Sequence, residues 1–164
     1  MRRRCSFRPM TPFRATDPFD WPALLSLIRA EFASMEHRID PPSSMHRLTP
    51  QAIAAQARTG EVWVIEHGQT PIACLFLTPQ PPALYLGKLA VATSHRGQGL
   101  ARRLIDTAAT RARALGLTRL VLQTRIELTE NHRLFAAMGF AMTGTTAHEG
   151  FDRPTSITME RALS

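Results

Sequence analysis

The stretch best equipped for chemistry is Leu86-Gly87-Lys88-Leu89-Ala90-Val91-Ala92-Thr93-Ser94-His95-Arg96-Gly97-Gln98-Gly99-Leu100-Ala101. It reads as a strand, a turn with two glycines and the first turn of a helix. Glycine adopts backbone conformations that other residues resist. Successive N–H groups can then point into one concavity, where the positive end of the helix dipole adds to the field. Such a cradle takes an anion, and a diphosphate is its natural guest. The same spacing also serves a tight strand-to-helix turn that holds nothing. Two nucleotide motifs are excluded. A P-loop needs Gly-Lys-Ser or Gly-Lys-Thr, which the chain lacks, and a dinucleotide fingerprint needs a third glycine where Arg102 stands.

The charge distribution bears on the same stretch. Twenty Lys and Arg against 13 Asp and Glu leave a net +7, and Lys88 is the only lysine. Residues 1–82 carry nine Arg against seven acids, and residues 83–164 carry eleven cations against six. Residues 96–119 hold six Arg and one acid, Asp106, so the second half's excess of +5 equals what sits there. A local basic patch suits a phosphate-rich ligand. A solvated helix face gives the same count. Nucleic acid is the weaker reading, because aromatics are only 7% and no nucleic-acid motif is present.

The elements that must position these groups follow from periodicity and punctuation. A short strand is predicted near Ser6 to Met10. A helix starts at about Trp21, with Asp20 as cap and Pro22 in its first turn, and turns Leu24, Leu25, Ile28 and Phe32 to one face. It ends near Met35, and the polar stretch from Glu36 to Leu48 is irregular. A second helix opens on Thr49 and Pro50, turns Ile53, Ala54 and Ala57 inward, and closes at Gly60. Two strands, Glu61 to Ile65 and Ile72 to Leu77, form a hairpin about His67-Gly68-Gln69. Pro79-Gln80-Pro81-Pro82 connects to Leu84 to Ala92, a strand apolar enough to be central. A long helix from Gly99 to Leu115 has the stripe Leu100, Leu104, Ile105, Ala108, Ala112 and Leu115, and Gly116 ends it. Leu120 to Thr124 is a strand. Thr129 caps a short helix with Leu134, Phe135 and Met138 inward, ended by Gly139. Phe140 to Thr146 and Ser156 to Arg161 are a last pair of strands. The order β-α-α-β-β-β-α-β-α-β-β describes one α/β domain over residues 1–164 with a mixed sheet.

With 164 residues, 44% apolar and 20% charged, the chain can bury a core and is unlike a disordered one. No run approaches the roughly 18 apolar residues of a membrane-spanning helix. Arg8, Pro9, Pro12 and Arg14 interrupt any apolar segment after Met1-Arg2-Arg3-Arg4, so residues 1–4 are expected to be a disordered tail and the protein cytoplasmic. Cys5 and Cys74 are too few for a disulfide scaffold, and no spacing suggests a metal site. Cys74, in an apolar run, is expected to be buried and inert.

Arg96-Gly97-Gln98-Gly99-Leu100-Ala101 resembles the (Gln/Arg)-x-x-Gly-x-(Gly/Ala) signature of the GNAT superfamily of N-acetyltransferases. Leu89-Ala90-Val91 matches the strand leading into it. Downstream, Thr129-Glu130-Asn131-His132-Arg133-Leu134-Phe135-Ala136-Ala137-Met138-Gly139-Phe140 is similar to the family's later helix and its Gly-Phe ending. The resemblance implies a mixed, mostly antiparallel sheet of six or seven strands, splayed in a V between the fourth and fifth, with about four helices. It makes residues 84–140 an acetyl-CoA-binding core. Backbone N–H groups from Gly97 through Gln98, Gly99, Leu100 and Ala101 to Arg102 would hold the pyrophosphate, behind Arg96. Leu89, Ala90 and Val91 would line the pantetheine arm together with Asn131 and Phe135. Arg102 and Arg103 would be near the 3′-phosphate. No metal is implied.

In such an enzyme an amine attacks the thioester directly, and the Val91 N–H is the donor implied for the oxyanion. The family's usual acid is a Tyr where this chain has Phe135, which has no proton to give. A thiol pKa of about 8.5 leaves its anion a tolerable leaving group. Tyr85, the only tyrosine, lies where some members carry a glutamate base, and it is a catalytic candidate as an acid or as a residue ordering water. Glu127 is the other, as an acceptor of the amine proton through water. His95 and His132 flank the cofactor segment and read as polar surface residues. On the acceptor side, Glu36 and Asp40 are expected to hold an ammonium and His37 to assist its proton. The resemblance implies acetyl-CoA and an amine as partners and leaves a homodimer open. The expected function is N-acetyl transfer to a primary amine of a small molecule, peptide or protein. The alternative is an acyl-CoA sensor without turnover.

Overall fold

The computed structural model describes residues 10–164. Their elements are β1 (Phe13–Arg14), α1 (Trp21–Ala33), α2 (Pro50–Thr59), β2 (Glu61–His67), β3 (Thr70–Gln80), β4 (Ala83–Val91), α3 (Leu100–Ala114), β5 (Arg119–Arg125), α4 (Thr129–Ala137), β6 (Ala141–Thr146) and β7 (Ser156–Ala162). Seven strands form one sheet in the order β1-β2-β3-β4-β5-β7-β6. Only β4 and β5 run parallel; the other neighbours are antiparallel.

Local chemistry sets most of the boundaries. The Asp20 carboxylate accepts the Ala23 N–H at 3.0 Å, the Thr49 hydroxyl accepts that of Ala52 at 3.1 Å, and each helix carries a proline in its first turn. Four expectations shift. The strand expected near Ser6 to Met10 lies outside the described residues except for Met10, which is in a bend; the first described strand is Phe13–Arg14. The link through Pro79 shrinks to Pro81-Pro82, because Pro79 lacks only its N–H and keeps its ladder place opposite Leu84. Thr129 is not the cap of α4. The buried Leu128 precedes the helix, and its carbonyl accepts the Asn131 N–H at 3.0 Å. Leu115 is 43% exposed rather than inward, since α3 ends at Ala114 and the chain bends back, placing Leu117 in the core instead.

The sheet divides two cores. On one face α1 and α2 cover Val62, Val64, Cys74, Phe76 and Ala90; on the other α3 and α4 cover Leu75, Leu77, Leu84, Leu86, Leu120 and Leu122. Strand side chains alternate in direction with period 2, and β4 breaks that period once. Leu84 and Leu86 face α3, and so do Leu89 and Val91. The parity changes because β4 carries one extra residue, a bulge where Cys74 pairs with Ala90 but Phe76 pairs with Gly87. Lys88 sits in it with φ +52°. Parallel pairing of β4 with β5 stops at Leu86 and Leu122, just before the bulge, and the two strands then part.

Candidate active site

The gap left by that parting is where main-chain groups become available. The Ala92 N–H donates to the Ile72 carbonyl at 2.7 Å. Backbone groups alternate in direction along an antiparallel ladder, so the Val91 N–H and carbonyl point away from β3, into the space β5 vacates. Past Val91 the chain makes a short helical turn, Thr93–His95, and enters the glycine segment. Gly97 and Gly99 have φ +77° and +76°, a region hostile to side chains, and the space a Cβ would occupy is open at both. Gly99 supplies no side-chain cap, so the first N–H groups of α3 lack that partner.

A cavity of about 540 Å³ runs from this turn to α4. Leu89, Ala90, Val91, Arg96, Gly97, Gly99, Leu100, Ala101, Arg102, Asn131 and Phe135 all line it; of the expected cofactor residues Gln98 and Arg103 do not. Leu134, expected to face inward, is 44% exposed and lines the same cavity. Arg103 is engaged elsewhere, donating to the Met10 carbonyl at 2.8 Å. Arg111 and Arg119 pair with Glu61 and Glu160. Among the described residues, only Arg102 and Arg113 of the six arginines in the basic segment make no side-chain hydrogen bond. Arg102 is the one at the cavity. The donor set fits an anion: open amides, one uncommitted guanidinium and no carboxylate on the turn itself.

Glu31 holds the turn in place. This buried α1 residue accepts from the Thr93 N–H at 3.1 Å, from the Thr93 hydroxyl at 3.2 Å and from Arg96 at 2.5 Å. Arg96 therefore anchors the turn through its side chain. Sequence reasoning missed Glu31, although a signal was present: it falls three residues after Ile28 and seven after Leu24, on the apolar stripe of α1. His95 lines the cavity and shares a hydrogen bond with His67 at 3.1 Å.

A second cavity, of about 360 Å³, opens between β4 and β5. Tyr85, Lys88, Thr124, Arg125, His148 and Ser156 give it polar walls. The two cavities share Phe32, Met35, Leu89, Asn131 and Phe135, so they meet where the strands part. Burial raises the Tyr85 phenol above its ordinary value, which keeps its proton in place. Burial also lowers the Lys88 amine, whose Nζ donates to Gln56 at 3.2 Å and lies 5.1 Å over the Phe76 ring. Cys74 is fully buried, as expected, and burial pushes its thiol up to about 12. Phe135 is buried against Phe140, with ring centroids 5.9 Å apart.

The other expected residues stand apart. Glu127 lines neither cavity, and both its carboxylate oxygens are buried without a hydrogen-bond partner, in the field of Arg125. Glu36 bonds His46 at 2.9 Å, Asp40 bonds Arg153 at 2.9 Å, and His37 is exposed. None of the three lines the second cavity; Met35, Ser43, Ser44 and Met45 from the same segment do. The segment is a strap tied across the cavity mouth. Arg38 pairs with Glu130 on α4, and Arg125 donates to the Pro42 carbonyl at 3.3 Å. His132 bonds the Arg125 carbonyl at 2.9 Å and ties α4 to the end of β5.

Comparison with known proteins gives a consistent family. The sequence model of the acetyltransferase (GNAT) family matches residues 21–140. N-acetyltransferase 8F1 of Rattus norvegicus is 36% identical over 91 residues, which cover 52% of this chain and 41% of that protein. The chain thus spans about two fifths of the length of the curated relatives it matches. PaiA N-acetyltransferase from Thermoplasma acidophilum, solved in complex with coenzyme A, superposes with a TM-score of 0.78 at 11% identity, over 94% of this chain and 100% of that one. A GNAT family acetyltransferase from Elizabethkingia anophelis with acetyl-CoA bound gives 0.67 at 19% identity, over 93% and 97%. At such identities the structural likeness speaks for the fold alone. No described helix is long and apolar enough to cross a membrane.

Proposed function

Because this chain belongs to the acetyltransferase (GNAT) family, we propose that it is an N-acetyltransferase, moving the acetyl group of acetyl-CoA directly to a primary amine of a small molecule or a peptide. The observation that carries the reading is the meeting of the two cavities at the parted strands. One cavity takes the nucleotide and its pantetheine arm; the other admits the acceptor. The amides from Gly97 to Arg102 and the Arg102 guanidinium hold phosphate, and Leu89, Val91 and Asn131 flank the arm. The Val91 N–H, aimed into the gap, is the oxyanion donor; one such donor contributes roughly 10²–10³-fold in rate. Holding both reactants together lowers the barrier further.

Tyr85 keeps its proton, so its part is to donate a hydrogen bond or order water, not to act as a base. Glu127 balances the charge of Arg125 from behind the cavity wall. Asp40 acts through the strap, which it ties to Arg153 and which closes the acceptor cavity on one side, and Glu36 braces the strap from within through His46. A cytoplasmic setting agrees with the buried free thiol of Cys74.

Calorimetry with acetyl-CoA and a thiol-release assay over a panel of primary amines test the reading. Binding in the micromolar range with turnover of at least one amine is expected. No heat of binding at high micromolar acetyl-CoA rejects it. Phe135, in place of a proton donor, favours a second reading, a domain that binds acyl-CoA without turnover. Tight binding with no thiol released by any amine would support that one instead.

A further inference from the structure

The acceptor amine arrives protonated and must lose a proton before it can attack, and no residue assigned so far accepts it. We propose that His148, in the loop between β6 and β7, is the catalytic base. His148 lines the acceptor cavity beside Arg125 and Ser156. Its ring is not free to drift. The backbone N–H of His148 donates to the Thr155 hydroxyl oxygen at 2.9 Å, and ring Nδ1 contacts that same oxygen at 2.5 Å. Thr155 is fully buried, and its own N–H donates to the Thr146 carbonyl at 2.9 Å. The Thr155 hydroxyl also lies 3.4 Å from that carbonyl. In the proposed tautomer the hydroxyl proton goes to that carbonyl, Nδ1 carries a hydrogen and donates it, and the lone pair is left on Nε2. No described residue bonds Nε2. The same arrangement accommodates the imidazolium, because Nδ1–H keeps its acceptor after Nε2 is protonated.

The proposal rests on the acetyltransferase reading and adds the base to it. Nε2 takes one proton from the ammonium, directly or through one water. The freed nitrogen pair forms the C–N bond at the acetyl carbonyl. The C–S bond breaks, and its electron pair leaves on the CoA sulfur, which takes up a second of the ammonium's three protons. The third stays on the amide, and His148 returns its proton to solvent. The charged and titratable groups around it are Arg125 at the end of β5, Tyr85 and Lys88 on β4, and Glu149, Asp152 and Arg153 in its own loop, Arg153 being paired with Asp40.

The test combines nitrogen-15 NMR of the free protein, acetyl-CoA calorimetry and the pH dependence of kcat/KM. In the neutral protein His148 should show the Nδ1–H tautomer; the Nε2–H tautomer overturns the proposal whether or not any amine turns over. His148→Gln should bind acetyl-CoA within about twofold of the wild type yet lose roughly 100-fold in kcat/KM at pH 7. In that variant the rate should climb with pH toward the amine's own deprotonation, without the separate rise that the imidazole contributes in the wild type. Added imidazole should restore part of the activity of His148→Gly. Thr155→Val, which unties the ring, should shift the acidic limb and lower kcat/KM less. A His148→Gln enzyme with an unchanged rate and pH profile, or one that loses acetyl-CoA binding as well, overturns the assignment.

Discussion

Glu31 shows what a single buried acid does when every lone pair facing the protein has a donor. It fixes the glycine turn from α1, on the sheet face opposite α3. Glu31→Gln weakens its bond to Arg96 and turns one carboxylate oxygen into a donor facing donors. The variant should lose about 2 kcal/mol of stability, the usual worth of a charge-assisted hydrogen bond. Acetyl-CoA affinity should fall roughly tenfold, equivalent to about 1.4 kcal/mol. Thermal melting and calorimetry on the same sample check both. Melting that changes while affinity does not would show that the turn keeps its shape without the pin.

At the scale of elements, the order of strands and helices was legible because each carried its own punctuation: Asp20 and Thr49 as caps, the apolar stripe of α3, the glycines closing α3 and α4. The wall of the 540 Å³ cavity was legible too, since half of its lining residues come from the single segment from Leu89 to Arg102. The wall of the second cavity was not. It gathers Tyr85 from β4, Thr124 from β5, Met45 from the strap and His148 from the last loop, residues distant in sequence that only the parted strands bring together. Glu36 and Asp40 misled for a related reason, because their partners His46 and Arg153 are not deducible from loop composition. The bulge at Lys88 was hidden as well, since an uninterrupted apolar run conceals a change of parity.

The pair of Glu61 and Arg111 is an element-scale contact, tying the start of β2 to the last turn of α3 with Nε and Nη2 donating at 2.8 and 2.9 Å. Burial works against the Glu61 charge, but hydrogen bonds from Arg111 and Trp63 outweigh it and hold the carboxyl below its ordinary value. A lowered acid stabilises the fold above its unfolded pKa of about 4.3 and loses that contribution as pH falls through the folded value. Glu61→Gln should therefore cost about 2 kcal/mol at pH 7, with the gap to wild type closing below about pH 4. Urea midpoints from pH 7 to 3 measure it, and a gap independent of pH would contradict it.

At the scale of the whole molecule, the net charge of +7 is less available than it looks, because the arginines of the basic segment are mostly occupied by internal acceptors. The same economy governs the strap, held by Arg38 to Glu130 and by Arg153 to Asp40. The Arg38 guanidinium beside it holds the Glu130 carboxyl down to about 2, so this tie persists across ordinary pH and responds to salt instead. Arg38→Ala should speed hydrogen exchange in residues 36–47 several-fold, and raising ionic strength should do the same to the wild type. Exchange unaffected by either change would mean that packing alone keeps the strap in place. The lone lysine has a consequence of its own. An enzyme of the proposed kind is exposed to slow, unselective acylation of its own side-chain amines, and here the sole target is Lys88, half-sheltered in a strand and hydrogen-bonded to Gln56. Substituting arginine almost everywhere keeps the surface cationic while leaving almost nothing on it for stray acetyl groups to damage.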